Sequence, residues 1–244
     1  QTYYKKITEI EPNNAKGYYN LGTILLKRER FEKAEETYKK AIELNPDYSS
    51  CYNNLANIFN KFDRLEEAEA CYKKIIEIEP DFVDSYFNLG SVQQKLGKWE
   101  DCILNFKKII EIKQNYSAAH NNLGIALKQL NRIDEAEKSF TKAIKLSPTL
   151  EEALINRGQI LFNRGQFKLA LKDFDNCKYT NAPSKESKSR SLSCLFALGQ
   201  IKDIYKRIEI NSELDGENIS VAAFSAFISK KENKVTEHKF CNNP

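Results

Sequence analysis

The chain reads as an all-α solenoid of stacked antiparallel helix pairs, and three observations carry that reading. Near-copies of one unit begin every 34 residues from Ala15 onward, its apolar residues fall at helical spacing in two runs, and a proline closes the second run. Periodicity of this kind outranks length as a guide to architecture. The 244 residues therefore point to one elongated array rather than to one or two ordinary domains.

The unit is clearest at 117–150. His120 stands at position 4, Leu123 and Gly124 at 7 and 8, Leu127 at 11, Ala136 at 20, Phe140 at 24, Ala143 at 27 and Pro148 at 32. On a helix advancing about 100° per residue, positions 4, 7, 8 and 11 share one face, and 20, 24 and 27 share one face of a second helix. Gly124 and Ala136 leave room for two backbones to approach, Leu123, Leu127 and Phe140 fill the space around them, and the proline ends the second helix. The pattern resembles the tetratricopeptide repeat, a helix-turn-helix of 34 residues. That resemblance implies a right-handed superhelix of helix pairs with an inner, concave face.

Taken in order, residues 1–14 match the end of a truncated repeat, with Tyr4 at position 24, Ile7 at 27 and Pro12 at 32. Five full units follow at 15–48, 49–82, 83–116, 117–150 and 151–184. Position 4 holds Tyr18, Tyr52, Tyr86, His120 and Leu154. Position 8 holds Gly22, Ala56, Gly90, Gly124 and Gly158, and position 20 holds Ala34, Ala68, Cys102, Ala136 and Ala170. Gln114 in place of the proline and Arg157 in place of a leucine at position 7 suggest local loosening. The turns contain Glu29-Arg30, Phe62-Asp63, Gly97-Lys98, Asn131-Arg132 and Gly165-Gln166, where glycine or asparagine suits a left-handed helix end. Residues 185–229 read as a degenerate sixth repeat with a capping segment. Leu192, Leu195, Phe196, Leu198, Ile201, Ile204 and Ile208 keep helical spacing there, and Val221, Phe224, Phe227 and Ile228 are able to cover the last pair. Residues 230–244 read as a tail or as a linker to a missing domain.

Function in such an array is expected on the solvent face of the first helices, where positions 2, 6, 9 and 13 form a stripe opposite the apolar face. Position 6 is asparagine in all five units: Asn20, Asn54, Asn88, Asn122 and Asn156. Each amide offers an acceptor and two donors, so a column of them can bond the main chain of an extended peptide whatever its side chains. The alternative is that asparagine suits this slot or bonds the neighbouring helix. Asn57 at position 9 joins the expected peptide-binding set, and position 13 adds Lys27, Lys61 and Lys95 before giving way to Gln129 and Asn163. The asparagine ladder resembles the repeat arm of O-linked N-acetylglucosamine transferases. The lysine at position 5 by which carboxylate-clamp members of the repeat family hold a chain terminus has no counterpart here.

Several function classes find no support. With 38 basic and 34 acidic residues interspersed and a net charge of +4, the surface is a solvated helical one and argues against a nucleic-acid partner. Six cysteines, at 51, 71, 102, 177, 194 and 241, show no Cys-x-x-Cys, which fits a reducing, cytoplasmic setting. Cys102 and Cys177 occupy small-residue packing slots. No apolar run approaches the roughly 18 residues of a membrane span, and no signal peptide is seen. His120 and His238 are the only histidines, and metal, nucleophile and phosphate-loop motifs are missing, so no enzyme activity and no cofactor are expected of this chain. Methionine is absent throughout, and the chain reads as an internal part of a longer protein. Residues 221–227 with Phe240, Cys241 and Pro244 resemble the junction in bacterial proteins where such repeats precede a 2-oxoglutarate/Fe(II) oxygenase. The expected role is thus a protein- or peptide-binding module. Its alternatives are an assembly scaffold, or the recognition arm of such an oxygenase.

Overall fold

The computed structural model describes residues 11–177 and 184–212. The expectations placed on residues 1–10, on the covering segment after Ser212, on the tail and on His238 lie outside them. The described residues form twelve α-helices and no strand. They are α1 (Ala15–Lys27), α2 (Phe31–Leu44), α3 (Ser49–Lys61), α4 (Leu65–Ile78), α5 (Val83–Lys95), α6 (Trp99–Ile112), α7 (Ser117–Gln129), α8 (Ile133–Leu146), α9 (Glu151–Asn163), α10 (Phe167–Asn176), α11 (Lys185–Ala197) and α12 (Ile201–Ser212). The chain divides after Ala136 into two compact units. In the first, α1 packs on α2, α3 on α4 and α5 on α6, while α2, α4 and α6 each meet the first helix of the next pair. In the second, α9 packs on α10, α10 on α11 and α11 on α12.

Each hairpin is closed by the same device. Glu29, Asp63, Gly97, Asn131, Gly165 and Gly199 all occupy position 15, and all have positive φ between 56° and 73°. The next N–H then turns back to a carbonyl of the last helical turn, as in Arg30 to Leu25 (2.9 Å), Lys98 to Gln93 (2.9 Å) and Gln166 to Leu161 (2.9 Å). A left-handed residue with this reversed hydrogen bond is a common way to end a helix. At the other end of the repeat, Gln114 does not loosen the chain. Lys113 N–H bonds Ile109 (2.7 Å) just as Glu79 N–H bonds Ile75 (2.7 Å), so α6 stops in the same manner with or without proline.

The core is built where position 8 of a first helix meets position 24 of the second. A Cβ added to Gly22 would lie 2.7 Å from the Tyr38 ring, one on Gly90 2.8 Å from Phe106, and one on Gly158 2.6 Å from Phe174. The glycine is required by close approach of a ring. Tyr38, Phe106, Phe140 and Phe174 are buried, as are the small residues Ala34, Ala68, Cys102, Ala136 and Ala170 at position 20. Arg157 also corrects the expectation of loosening. Its Nε and Nη2 donate to the buried Asp173 carboxylate at 2.8 and 2.6 Å, so a charge pair replaces the apolar contact at position 7.

Successive pairs of the first unit are tied by charge. Arg64 at position 16 grips Glu35 at position 21 of the preceding repeat with two hydrogen bonds, 2.7 and 3.1 Å. Lys98 reaches Glu69 at 2.6 Å across the same interval. Glu69 also receives Lys73 at 2.8 Å and Gln93 at 3.2 Å. Burial pushes its carboxyl up, but the hydrogen bonds from Lys73, Lys98 and Gln93 outweigh burial and bring it from the ordinary 4.5 down to about 2.

Two outcomes follow. Phe106→Ala should cost about 3 to 5 kcal/mol in urea unfolding, because the ring is wholly buried against helix backbone. For Glu69, a carboxylate with a depressed folded value contributes stability above its unfolded value and loses it as pH falls toward about 2. Glu69→Gln should therefore be about 1 to 3 kcal/mol less stable than wild type at neutral pH, discounted for its half-exposed lysine partners. The gap should close between pH 4.5 and about 2 in paired thermal melts; a gap independent of pH would rule the account out.

Candidate functional site

The first-helix face of the first unit carries the expected asparagines at half-exposed positions on α1 (Asn20), α3 (Asn54), α5 (Asn88) and α7 (Asn122). Their environments differ. Asn54 Nδ2 donates to the Tyr38 hydroxyl (3.0 Å), which in turn donates to Thr23 Oγ1 (3.2 Å). The alternative reading of the asparagine, a bond to the neighbouring helix, thus describes Asn54, while its carbonyl oxygen is not part of that bond. Asn122 Oδ1 accepts from Asn121 at 3.4 Å. Asn156 belongs to the second unit, where its amide donates to the Glu152 carbonyl of its own helix (3.0 Å). Asn57 Oδ1 accepts from the Tyr72 hydroxyl (3.2 Å). Where position 24 is tyrosine, position 9 supplies a polar partner, Thr23 or Asn57, for its hydroxyl.

All three predicted lysines are exposed, yet two are engaged with the preceding repeat. Lys61 Nζ sits 3.9 Å from the centre of the Phe31 ring, and Lys95 Nζ donates to Asn60 Oδ1 at 2.8 Å. Lys61 thus reaches the second helix of the preceding pair, α2, and Lys95 the first helix of its own preceding pair, α3.

A cleft of about 220 Å³ opens on this face. Its walls are Tyr19 from α1, Ser49, Ser50, Asn53 and Asn54 from α3, Ile75 from α4, and Glu79 and Phe82 from the turn into α5. Of the predicted residues, Asn54 alone lines it. The cleft exists because position 5 of this repeat is Asn53. In the repeats on either side that position is aromatic and packs on the aromatic residue at position 34, Tyr19 on Tyr48 (ring centres 5.1 Å) and Phe87 on Tyr116 (5.8 Å). Here Phe82 keeps 41% of its surface exposed. The signal was in the sequence, since Asn53 stands between Tyr19 and Phe87 at position 5, but the pairing of positions 5 and 34 had to be seen in space.

Other chemistry finds no foothold. Burial pushes the thiols of Cys51, Cys71, Cys102 and Cys177 up to about 12 and that of Cys194 up to about 11, so these groups are packing residues rather than nucleophiles. His120 is buried, with Nε2 donating to the Gln114 carbonyl at 3.2 Å, as the Tyr86 hydroxyl donates to Pro80 at 2.9 Å in the repeat before. Among the described residues no group of three histidine, cysteine or carboxylate side chains is placed to hold a metal, and no helix is long and apolar enough to cross a membrane.

A family model described as tetratricopeptide repeat matches residues 15–48, 49–82 and 117–150, and a second of the same description matches residues 71–103, together half of the chain. The chain belongs to the tetratricopeptide-repeat family. This is a family of protein-interaction modules. Among solved structures, this tetratricopeptide-repeat protein is similar to YrrB, described as having an unusual peptide-binding site, at 22% identity over 82% of this chain and 97% of that one, TM-score 0.63. It is also similar to Pseudomonas aeruginosa PilF, at 17% identity over 87% and 96%, TM-score 0.68, and to MamA, at 18% identity over 75% and 96%, TM-score 0.60. At these identities the likeness concerns the fold. No curated protein sequence matches the chain.

The Tyr38 hydroxyl offers a direct check on the site's scaffold. Tyr38→Phe should cost about 1 kcal/mol, the net worth of a typical hydrogen bond. A double-mutant cycle with Asn54→Ala should show coupling of about 0.5 to 1.5 kcal/mol, and additivity would mean the bond contributes nothing.

Proposed function

We propose that this protein binds an extended stretch of polypeptide along the first-helix face of residues 15–129, through hydrogen bonds from side-chain amides to the ligand's main chain. The observation that carries the reading is the cleft at Asn53 and Asn54, whose wall includes one member of the half-exposed set Asn20, Asn54, Asn88 and Asn122. Amides that both donate and accept suit a peptide backbone, and membership of a family of protein-interaction modules supports a protein or peptide partner. The peptide-binding site described for YrrB is in keeping with it. The lysines contribute chiefly as spacers between repeats, since Lys61 and Lys95 already have partners. Asn57, bonded to Tyr72, belongs to the same proposed surface at its margin, and Asn156 is proposed as a polypeptide contact of the second unit taken by itself. The evenly mixed charge of +4 disfavours nucleic acid as the ligand, and a cytoplasmic location is part of the proposal. A scaffold that docks folded partners on its outer helices is the competing reading.

Asn20 and Asn88 give the cleanest test, because neither side chain supports another helix through a hydrogen bond to a described residue. The double variant Asn20→Ala, Asn88→Ala should bind disordered peptides on an array about tenfold more weakly, corresponding to two hydrogen bonds of about 0.5 to 1.5 kcal/mol. Its unfolding free energy should change by less than about 0.5 kcal/mol, as exposed substitutions do. Unchanged capture with the same peptides would favour the scaffold.

A further inference from the structure

The cleft at the second repeat has a chemistry of its own, and this inference rests on the polypeptide-binding reading only in that a polypeptide delivers the group it holds. At about 220 Å³ it is smaller than the roughly 300 to 1,000 Å³ of pockets that enclose a cofactor or drug-sized ligand, so it is matched to a single side chain. Its lining combines two rings, Tyr19 and Phe82, and the aliphatic Ile75 with two amides and two hydroxyls. Glu79 is the one charged side chain among them. No basic residue lines the cleft, the turn that supplies Glu79 and Phe82 also carries Asp81, and Asp84 stands in the first turn of α5.

We propose that this cleft is a subsite for an arginine side chain of the bound polypeptide. The planar guanidinium stacks on aromatic faces, is weakly hydrated, and carries a fork of donors that a carboxylate and amide oxygens accept together. Its methylene stem lies along the exposed Phe82 ring. A phenylalanine would leave Glu79, Asn53 and Asn54 facing a ring, and an acidic side chain would meet Glu79 with like charge. In the neighbouring repeats the position 5 rings, Tyr19 and Phe87, fill the corresponding place by packing on Tyr48 and Tyr116. The subsite thus fixes which residue of the ligand lies opposite the second repeat, giving register to a face whose asparagine column reads main chain alone.

The experiment uses N-acetyl-arginine amide, its uncharged isostere N-acetyl-citrulline amide and N-acetyl-phenylalanine amide, titrated into the isotope-labelled protein while the side-chain amide signals of Asn53 and Asn54 are followed. The arginine probe should shift both signals saturably and bind about fivefold better than citrulline, the worth of one exposed cation–π or ion-pair contact. Glu79→Gln should abolish that preference. Asn53→Tyr, which rebuilds the ring pair of the neighbouring repeats, should abolish the shift at Asn54 with the melting temperature kept; should that variant fold poorly, Glu79→Gln carries the test alone. A phenylalanine probe that binds as well as arginine, an arginine response untouched by both variants, or no response to arginine overturns the subsite. Selection of random displayed peptides on wild type and Glu79→Gln separates the two readings. Peptides selected without a shared arginine leave the binding face standing and remove the subsite. Arginine binding in the titration with no peptide selected keeps the subsite and removes the binding face.

Discussion

The contact of a small residue at position 8, glycine in four repeats and Ala56 in the second, with an aromatic ring at position 24 is the constraint from which the rest of the structure follows. With a Cβ on Gly22, Gly90 or Gly158 the ring would be met at 2.6 to 2.8 Å, well inside van der Waals contact. The two helices of a pair therefore approach as closely as the ring's thickness permits, and the short left-handed turn at position 15 is enough to join them. Once the rings face inward, the opposite side of each first helix is left to polar residues. That is where Asn20, Asn54, Asn88 and Asn122 lie, so the proposed binding face is a by-product of the packing rule rather than a separate device.

Repetition made the pairing of helices legible from the sequence. A glycine, an alanine and a ring recurring at constant spacing state which faces meet, since each unit solves the same packing problem. The polar residues were read less completely because their roles depend on neighbours from other repeats. Asn54 and Asn57 occupy equivalent-looking exposed slots, yet both bond tyrosines, and those bonds exist only where position 24 carries a hydroxyl. Arg157 looked like damage to the pattern. Its compensation, Asp173, lies 16 residues away on the partner helix and has no signature at a single position. The cleft is an absence, a ring missing at Asn53 beside a ring retained at Phe82. Single-column reading does not detect a gap between two columns.

Charge does for neighbouring repeats what the ring does within one. Position 16 reaches back to position 21 of the repeat before, in Arg64 with Glu35 and Lys98 with Glu69. The third repeat has Ile103 at position 21, and Arg132 bonds Glu135 three residues on at 2.8 and 2.7 Å, the contact that Arg64 also makes with Glu67. Neighbouring pairs are thus held by unequal numbers of ionic contacts, as nearest-neighbour stacking in repeat proteins allows.

Both of those bridges span 29 residues. That constancy bears on how a gene for such a chain is free to change length. Excising residues 49–82 would set Lys98 opposite Glu35 at the interval now held by Arg64, and would bring Gly90 and Phe106 intact behind Tyr48. Unequal crossing-over in whole repeats therefore preserves this charge bridge and the contact of positions 8 and 24, whereas a shift by any other length breaks their register. The same excision would delete Asn53 and Phe82, and with them the cleft they border.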